Sequence, residues 1–359
     1  MLISINIVAY NEENNIAKSL RSALNQSYKN IEVFLIDNAS QDRTVEIAEE
    51  IYSKWFHGCH CERSEAILKI ASSSDCNRSP RNDTGSIVPF RVIKNSKNLG
   101  FGGGHNVGFR NSRGDFVLCL NADCELDKDY VKYAVEVFKQ DSSIGAVQGK
   151  LNNPRTGKID STGLLIFKNR RVINRGQGEK DSGQYENPEE VWGVDGAAPV
   201  YRREMLEDVK IGEEYFDADF FAYKEDIDLS WRMRLAGWKC VYQPKAIAHH
   251  DRSAGEGTKR NPFEIIKERR KIGEFAKFHS FANQRLMQIK NETPYLFLKY
   301  FPGIIIKEAL SWPYVLFFER YGWKSTIEFF RLLPRAIAKR KHVMAKKRIS
   351  DKDMERWFV

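Results

Sequence analysis

Short apolar runs that end on Asp or Asn and give way to helical spacing fill the first 150 residues. This alternation restricts the fold more than any other feature. Leu2 to Ala9 reads as a buried strand, and Ile16, Leu20, Ala23 and Leu24 then recur on one helix face. Ile31 to Ile36 is a second apolar strand, ending on Asp37-Asn38-Ala39-Ser40. Ser40 or Asp42 can cap the next helix, which turns Val45, Ala48 and Ile51 inward. Arg91 to Ile93, Asp115 to Leu120 and Ile144 to Gln148 are further strands, with a helix carrying Tyr130, Ala134, Val137 and Phe138 between the last two. Such alternation predicts an α/β domain on a mostly parallel sheet with helices on both faces.

The rhythm breaks between residues 57 and 86. That stretch resembles the translated product of a bacterial interspersed palindromic repeat, which would make it an inserted surface excursion with no part in chemistry. His57, Cys59, His60, Cys61 and Cys76 are potential ligands, but one C-x-C and a distant Cys lack the paired spacing of a zinc site. From Leu151 to Gln184 the chain turns polar and Gly-containing, which predicts hairpins or a flap. Val191 to Tyr201 and Phe216 to Tyr223 are aromatic and Gly/Ala-rich, and they precede a helix from Glu225 to about Ala236 with Gly237 as its C′ residue. Lys239 to Gln243 reads as a strand with His249-His250 just beyond it, and residues from about Asn261 onward read as helical.

Composition narrows the class. Hydrophobic residues make up 42% and charged residues 29% of 359, the balance of a globular chain rather than a disordered one. No run reaches the ~18 apolar residues of a membrane span, and the first residues lack a signal-peptide pattern, which predicts a cytoplasmic protein with reduced cysteines. The net charge is +9, and residues 331–359 hold ten Lys/Arg against three Asp/Glu. A basic tail can meet nucleic acid, an anionic membrane or an acidic substrate. No nucleic-acid-binding module accompanies it, so nucleic acid is not expected as a partner.

Several clusters carry potential chemistry. Asn121-Ala122-Asp123 follows an apolar strand, where open α/β sheets bind ligands, and Asp123 there can hold a hard cation or simply form a turn. Asp37 occupies the equivalent end of the second strand and can accept hydrogen bonds from a base or ribose, or cap a helix. Residues Asn98 to Asn106 put four glycines before a helix, where free N–H groups can approach phosphate. Their spacing fits neither G-x-G-x-x-G nor the P-loop. Glu225-Asp226-Ile227-Asp228 opens a helix beside Phe220, Phe221 and Tyr223. Three acids there exceed what capping requires, and one can serve as a general base. His249 and His250 can supply imidazole to a metal.

Taken in order, these segments resemble glycosyltransferase family 2, particularly rhamnosyltransferase-like bacterial members. The matching stretches are Ile7-Val8-Ala9-Tyr10-Asn11-Glu12, Val33 to Ser40, Asn98 to Gly102, Leu120 to Asp123, Gly193-Val194-Asp195-Gly196-Ala197, Glu225 to Leu229, Ala236-Gly237-Trp238 and His249-His250. The resemblance implies a GT-A domain over residues 1–255 and a helical, aromatic and basic extension over 256–359. It implies a nucleoside-diphosphate sugar as donor, lodged by Tyr10, Glu12, Asp37, Asn98, Gly100, Asn121, Ala122 and Asp123. Asn121 stands where the family's D-x-D motif has its first Asp.

The same resemblance makes Asp123 and His250 the ligands of Mg²⁺ or Mn²⁺, with His249 as the competing choice. Asp226 becomes the general base of an inverting transfer, and Gly196, Glu225 and Asp228 face the acceptor. The acceptor would be a glycan or a polyprenyl-linked glycan of cell-surface polysaccharide synthesis, met at the inner face of the cytoplasmic membrane. A sugar nucleotidyltransferase is the competing enzyme, but it would carry a Gly-rich basic loop where this chain has Tyr10-Asn11-Glu12-Glu13. A non-catalytic sugar-nucleotide or membrane-binding protein would not need Asp123, Asp226 and His250 together.

Overall fold

The computed structural model describes residues 1–59, 88–252 and 262–359. The alternating first part builds β1 (Ile3–Ala9), α1 (Ile16–Leu24), β2 (Ile31–Asp37), α2 (Thr44–Cys59), β3 (Phe90–Lys94), α3 (Gly100–Asn111) and β4 (Phe116–Asn121). A short β5 (Cys124–Leu126), α4 (Tyr130–Gln140) and a long β6 (Ile144–Asn153) follow. Next come β7 (Lys158–Ser161), β8 (Leu164–Ile166), β9 (Val172–Asn174), β10 (Glu189–Val191), β11 (Val200–Arg202), α5 (Arg203–Val209), α6 (Glu225–Leu235) and β12 (Lys239–His250). The remainder is helical: α7 (Pro262–Lys271), α8 (Glu274–Asn291), α9 (Pro294–Phe318), α10 (Gly322–Ala345) and α11 (Asp351–Glu355). His57 and Cys59 fall in the last turn of α2; the rest of the expected excursion at 57–86, with the candidate ligands His60, Cys61 and Cys76, lies outside the described residues, as does the expected domain boundary at 255.

One sheet runs in the order β10-β12-β6-β11-β4-β1-β2-β3, with β5 added to β12 and β7 to β6, while β8 pairs with β9. It is parallel from β4 through β3 and again between β6 and β12. The central strands read as unbroken apolar runs because both faces are covered. Phe116, Leu118 and Leu120 enter the core shared with α1 and α4, and Val117 and Cys119 enter the opposite core with α5 and α6.

Two sequence expectations change. β12 does not stop at Gln243 but continues to His250, because its last residues gain a second partner in β5. The glycines after Asn98 do not precede a helix: they form the first turns of α3. A Cβ on Gly104 would stand 2.6 Å from Val8 Cγ1, and one on Gly108 2.6 Å from Asn6 Nδ2. Gly104 and Gly108 serve close helix–sheet packing, and Gly100 and Gly102 let the 216–221 loop come close, rather than forming an open phosphate cradle. Elements β5 and α5 had no distinct sequence signal.

The C-terminal helices are bound to the sheet domain by a common core. Leu286, Leu296, Phe329 and Leu332 cluster with Trp192, Phe220, Ile227 and Trp231. The tail aromatics divide between two environments. Ile304 and Phe329 are buried, whereas Phe301, Ile306, Phe317, Phe318, Trp323 and Phe330 are exposed. Among the described residues no helix is long and apolar enough to cross a membrane.

Candidate active site

The parallel strands β1, β2 and β4 deliver their carboxyl ends to one rim. Register pairs Val8 with Asn121 and Ala9 with Asp37. The loops after β1 and β2 are tied together: Asn11 N–H donates to Ser40 Oγ at 3.0 Å, Glu12 N–H to Thr44 Oγ1 at 2.7 Å and Gln41 N–H to Asn11 Oδ1 at 2.8 Å. Asn11 and Ala39 hold φ of 56° and 64°. Ala39 in particular stays in that region only because its surroundings enforce it. Along this rim Tyr10 is exposed and Asp37 is buried, its Oδ1 accepting from Ser40 N–H at 3.1 Å. Burial raises the Glu12 carboxyl pKa, the hydrogen bond from Asn15 opposes the rise, and the nearby Asp123 charge adds to it. Tyr10, Glu12, Asp37 and Asp123 therefore share one end of the sheet.

Asn98 and Gly100 have other occupations. Asn98 Oδ1 accepts from Gly100 N–H at 2.8 Å. Gly100, at φ +73°, lies so close to the 216–223 loop that a Cβ would come within 1.9 Å of the Phe221 carbonyl oxygen. Both residues shape the turn into α3, and their expected phosphate-cradling role is corrected accordingly.

Pairing of β5 with β12 sets Cys124 opposite His250 and Glu125 opposite His249. Adjacent strand residues point to opposite faces, so the two histidines separate. His249 is half exposed beside Asp127, with 3.2 Å between Nε2 and Oδ1. His250 is buried, its Nε2 3.4 Å from Asp123 Oδ1 and its Nδ1 2.8 Å from Asp160 Oδ2. Burial disfavours the imidazolium, but the bonds to Asp123 and Asp160 outweigh it and raise the pKa to about 9. Asp160 is itself buried; the His250 bond and the Arg252 charge overcome that burial and lower its pKa to about 2.

A carboxylate and an imidazole facing one another, with a second carboxylate on the far ring nitrogen, is a donor set that fits a divalent cation. Among the described residues no cluster of three or more His, Cys, Asp or Glu side chains is arranged to hold a metal. A cation here would have two protein ligands and take the rest from substrate oxygens and water.

On the other wall, α6 begins after Tyr223 and Lys224, whose φ angles of 67° and 82° are both left-handed. Asn283 of α8 fastens this turn, its Nδ2 donating to the Ala222 and Tyr223 carbonyls, each at 2.9 Å. The strained turn presents Asp226, which is half buried. Its Oδ2 accepts from Gly196 N–H at 3.0 Å and its Oδ1 from Ile227 N–H at 2.8 Å. Burial, reinforced by the charge of Asp195, raises its pKa to about 6 despite those two bonds. Glu225 is buried beside it, with Oε2 lacking any hydrogen-bond partner, and burial raises its pKa well above the usual range.

Asp228 does not face an acceptor. It is fully buried, accepting from Arg232 Nε at 2.9 Å and Asn291 Nδ2 at 2.8 Å, with Lys290 Nζ at 2.9 Å. Two residues past Asp226, it lies on another side of α6, in the joint between α6 and α8. Its expected acceptor-side role is therefore corrected to a structural one.

Three residues without an assigned role join the two walls. Arg252 donates from Nε to Asp160 Oδ1 at 2.8 Å and from Nη2 to Asp195 Oδ2 at 2.6 Å. Asp195 also accepts from Asn174 Nδ2 at 2.7 Å, and its charge acts on Asp226. A chain of contacts thus runs from Asp123 through His250, Asp160, Arg252 and Asp195 to the neighbourhood of Asp226. Asp195 lay inside a matching segment. Asp160, on a short strand in a polar stretch, had no local signal.

Comparison with known families gives the same assignment. The model described as glycosyl transferase family 2 matches residues 4–70, and that described as glycosyltransferase like family 2 matches residues 82–272. The chain belongs to glycosyltransferase family 2. This glycosyltransferase is 26% identical over 252 residues to the poly-beta-1,6-N-acetyl-D-glucosamine synthase of Staphylococcus aureus strain MSSA476, covering 68% of this chain and 48% of that protein. The Staphylococcus epidermidis synthase is 25% identical with the same coverage. The chain spans about half the length of the curated relatives it matches.

Among solved structures, S. aureus TarS 1–349 in complex with UDP-GlcNAc superposes with a TM-score of 0.52 at 16% identity, covering 96% of this chain and 88% of that one. The Pyrobaculum calidifontis mannosyltransferase PcManGT in complex with GDP-Man and Mn²⁺ gives 0.50 at 13% identity, with coverage of 96% and 85%. At these identities the likeness establishes the GT-A fold.

Proposed function

We propose that this glycosyltransferase moves a sugar, with inversion, from a nucleoside-diphosphate donor of the UDP-sugar or dTDP-rhamnose class to a hydroxyl of a glycan or lipid-linked glycan. The product would enter cell-surface polysaccharide, and the work would be done at the inner face of the cytoplasmic membrane. The observation that carries this reading is the run of contacts from the facing pair Asp123 and His250 through Asp160, Arg252 and Asp195 to Gly196, whose N–H donates to Asp226 Oδ2.

The roles follow from the chemistry. Tyr10 offers an exposed aromatic face to the nucleotide base, and Asp37 and Glu12 offer carboxyl oxygens to the base and ribose. Asn121, in place of an acid, offers a hydrogen bond to ribose without adding charge. Asp123 and His250 would hold Mg²⁺ or Mn²⁺, which when bound neutralises charge growing on the departing diphosphate. Asp160 fixes the imidazole orientation through Nδ1.

Asp226 takes the proton of the acceptor hydroxyl as its oxygen attacks the anomeric carbon. A carboxyl near 6 is ionised at neutral pH and still basic enough for this step. The Gly196 N–H holds Oδ2 in place. Attack opposite the leaving group inverts the anomeric centre in one displacement, with no enzyme nucleophile. The N-acetylglucosamine named for the curated relatives and the UDP-GlcNAc held by TarS favour a UDP-sugar as the first donor to try. Incubating the protein and Mn²⁺ with each donor and a panel of glycan acceptors, and following nucleoside diphosphate release, tests the proposal. Acceptor-dependent release supports it, and no release with any pair refutes it.

A further inference from the structure

We propose that the outer face of α9 and α10 is a docking surface for an anionic lipid bilayer, which holds the acceptor side of the cleft at headgroup level. This inference uses the transferase reading only for the direction from which the acceptor arrives.

Large apolar side chains left in water are concentrated on these two helices. On α10, Trp323, Ile327, Phe330 and Ile337 are 61%, 66%, 58% and 49% exposed. Their spacing of four, three and seven residues is a single helical stripe, and exposed Pro334 lies within it. On α9, Leu298, Leu310, Phe317 and Phe318 are exposed by 69% or more. Both helices already have a core side: Trp312 of α9 packs on Phe329 of α10, with ring centroids 5.8 Å apart. The exposed stripe is therefore a second face. Large exposed apolar side chains gathered on two helices that pack together mark an interaction site.

Charge identifies the partner. The acids on α9, α10 and the turn between them are Glu308, Glu319 and Glu328, and all three are largely covered and paired with cations. Lys299, Arg331 and Arg335 keep 43%, 61% and 58% of their side chains exposed despite their ion pairs. Arg320, Lys324 and Lys341 are exposed, with no acidic partner among the described residues. The face thus combines Trp, Phe and Ile with outward charge of one sign, the pattern of a helix lying in an anionic interface. A second copy of the chain would bring the same positive charge and be repelled. Neither helix can span a bilayer, so the contact is peripheral.

The surface is also linked to the site. α10 packs on α8, with Ser325 Oγ donating to the Phe278 carbonyl at 2.7 Å, and α8 holds the turn before Asp226 through Asn283. An acceptor carried on a lipid would reach Asp226 from this side.

The test uses the full 359-residue protein and vesicles of phosphatidylcholine, with and without 30% phosphatidylglycerol, in co-sedimentation. Binding is expected only with phosphatidylglycerol. It should fall roughly a hundredfold in the triple variant Arg320→Gln, Lys324→Gln, Lys341→Gln, at about 1 kcal/mol for each basic residue near the surface. Trp323 is the exposed tryptophan among the described residues, so brominated lipid should quench wild-type fluorescence and barely affect Trp323→Phe. These substitutions are at the surface, and unchanged melting temperatures will show that the fold persists.

Equal binding to both vesicle types, no quenching, or lipid-free self-association that buries Trp323 would each overturn the proposal. Donor binding measured without lipid should be the same in wild type and variants. Its absence from the wild type would count against the transferase reading and leave the vesicle result standing.

Discussion

His250 Nε2 stands 3.4 Å from Asp123 Oδ1 because β12 runs on past Gln243 and pairs with β5, which begins right after that aspartate. The pair is a product of sheet register, and the same register turns His249 to the other face.

A metal dependence should follow this division. Replacing Asp123 or His250 with Ala should weaken Mn²⁺ binding, read by calorimetry in the presence of nucleotide, and abolish cation-dependent turnover. Asp160→Asn should cost about 10–100-fold in metal affinity, as expected when the partner of a ligating imidazole is lost. His249→Ala should leave both quantities unchanged.

The candidate base predicts a pH profile. Asp226 with a pKa of about 6 must be ionised to accept a proton, so kcat should be flat above about pH 7 and fall roughly tenfold per unit below 6. Asp226→Asn should retain donor affinity and lose 10²–10⁴-fold in turnover, an order expected of general-base catalysis.

Stability gives the same residue a second signature. Its pKa is higher in the folded chain than in the unfolded one, so ionising it opposes folding as pH rises from about 4 through 6. Asp226→Asn should therefore melt above wild type at pH 8, with the gain shrinking as pH falls toward 4. Thermal melts at four pH values would check the sign.

Much of the scaffold was legible because buried parallel strands must be apolar on both faces, and β1, β2 and β4 show it plainly. The acid-rich start of α6 and the Asp ends of the strands were equally visible. What the sequence hid depends on partners far along the chain. The glycines of α3 read as a phosphate loop until their contacts with Val8 and Asn6 are known. Asp226 and Asp228 look alike in sequence, yet one stays half exposed beside Gly196 and the other meets Lys290 from a helix sixty residues later. Asp160 and Arg252 acquire meaning only through His250 and Asp195.

Asp228 and Lys290 form a buried pair that joins α6 to α8, and Lys290 also meets buried Asp217. Removing one member leaves uncompensated charge, so Lys290→Ala should destabilise the fold by about 3–5 kcal/mol in urea unfolding. Donor specificity should not change in whatever fraction stays folded.

Gly100 predicts a conformational cost. With φ at +73° and the Phe221 carbonyl in the place of a Cβ, Gly100→Ala should lower stability by at least ~1 kcal/mol. Gly212, also at positive φ but with open space around it, provides the control and should lose less on the same change.

The central claim is that the rim of β1, β2 and β4 binds a nucleoside-diphosphate sugar with a cation at Asp123 and His250. Titration calorimetry of the wild type with UDP-, GDP- and dTDP-sugars, each with and without Mn²⁺, tests it most directly. The account predicts at least one donor whose binding requires Mn²⁺ and disappears in His250→Ala. Folded protein that binds none of these donors at millimolar concentration, with or without the cation, would contradict it.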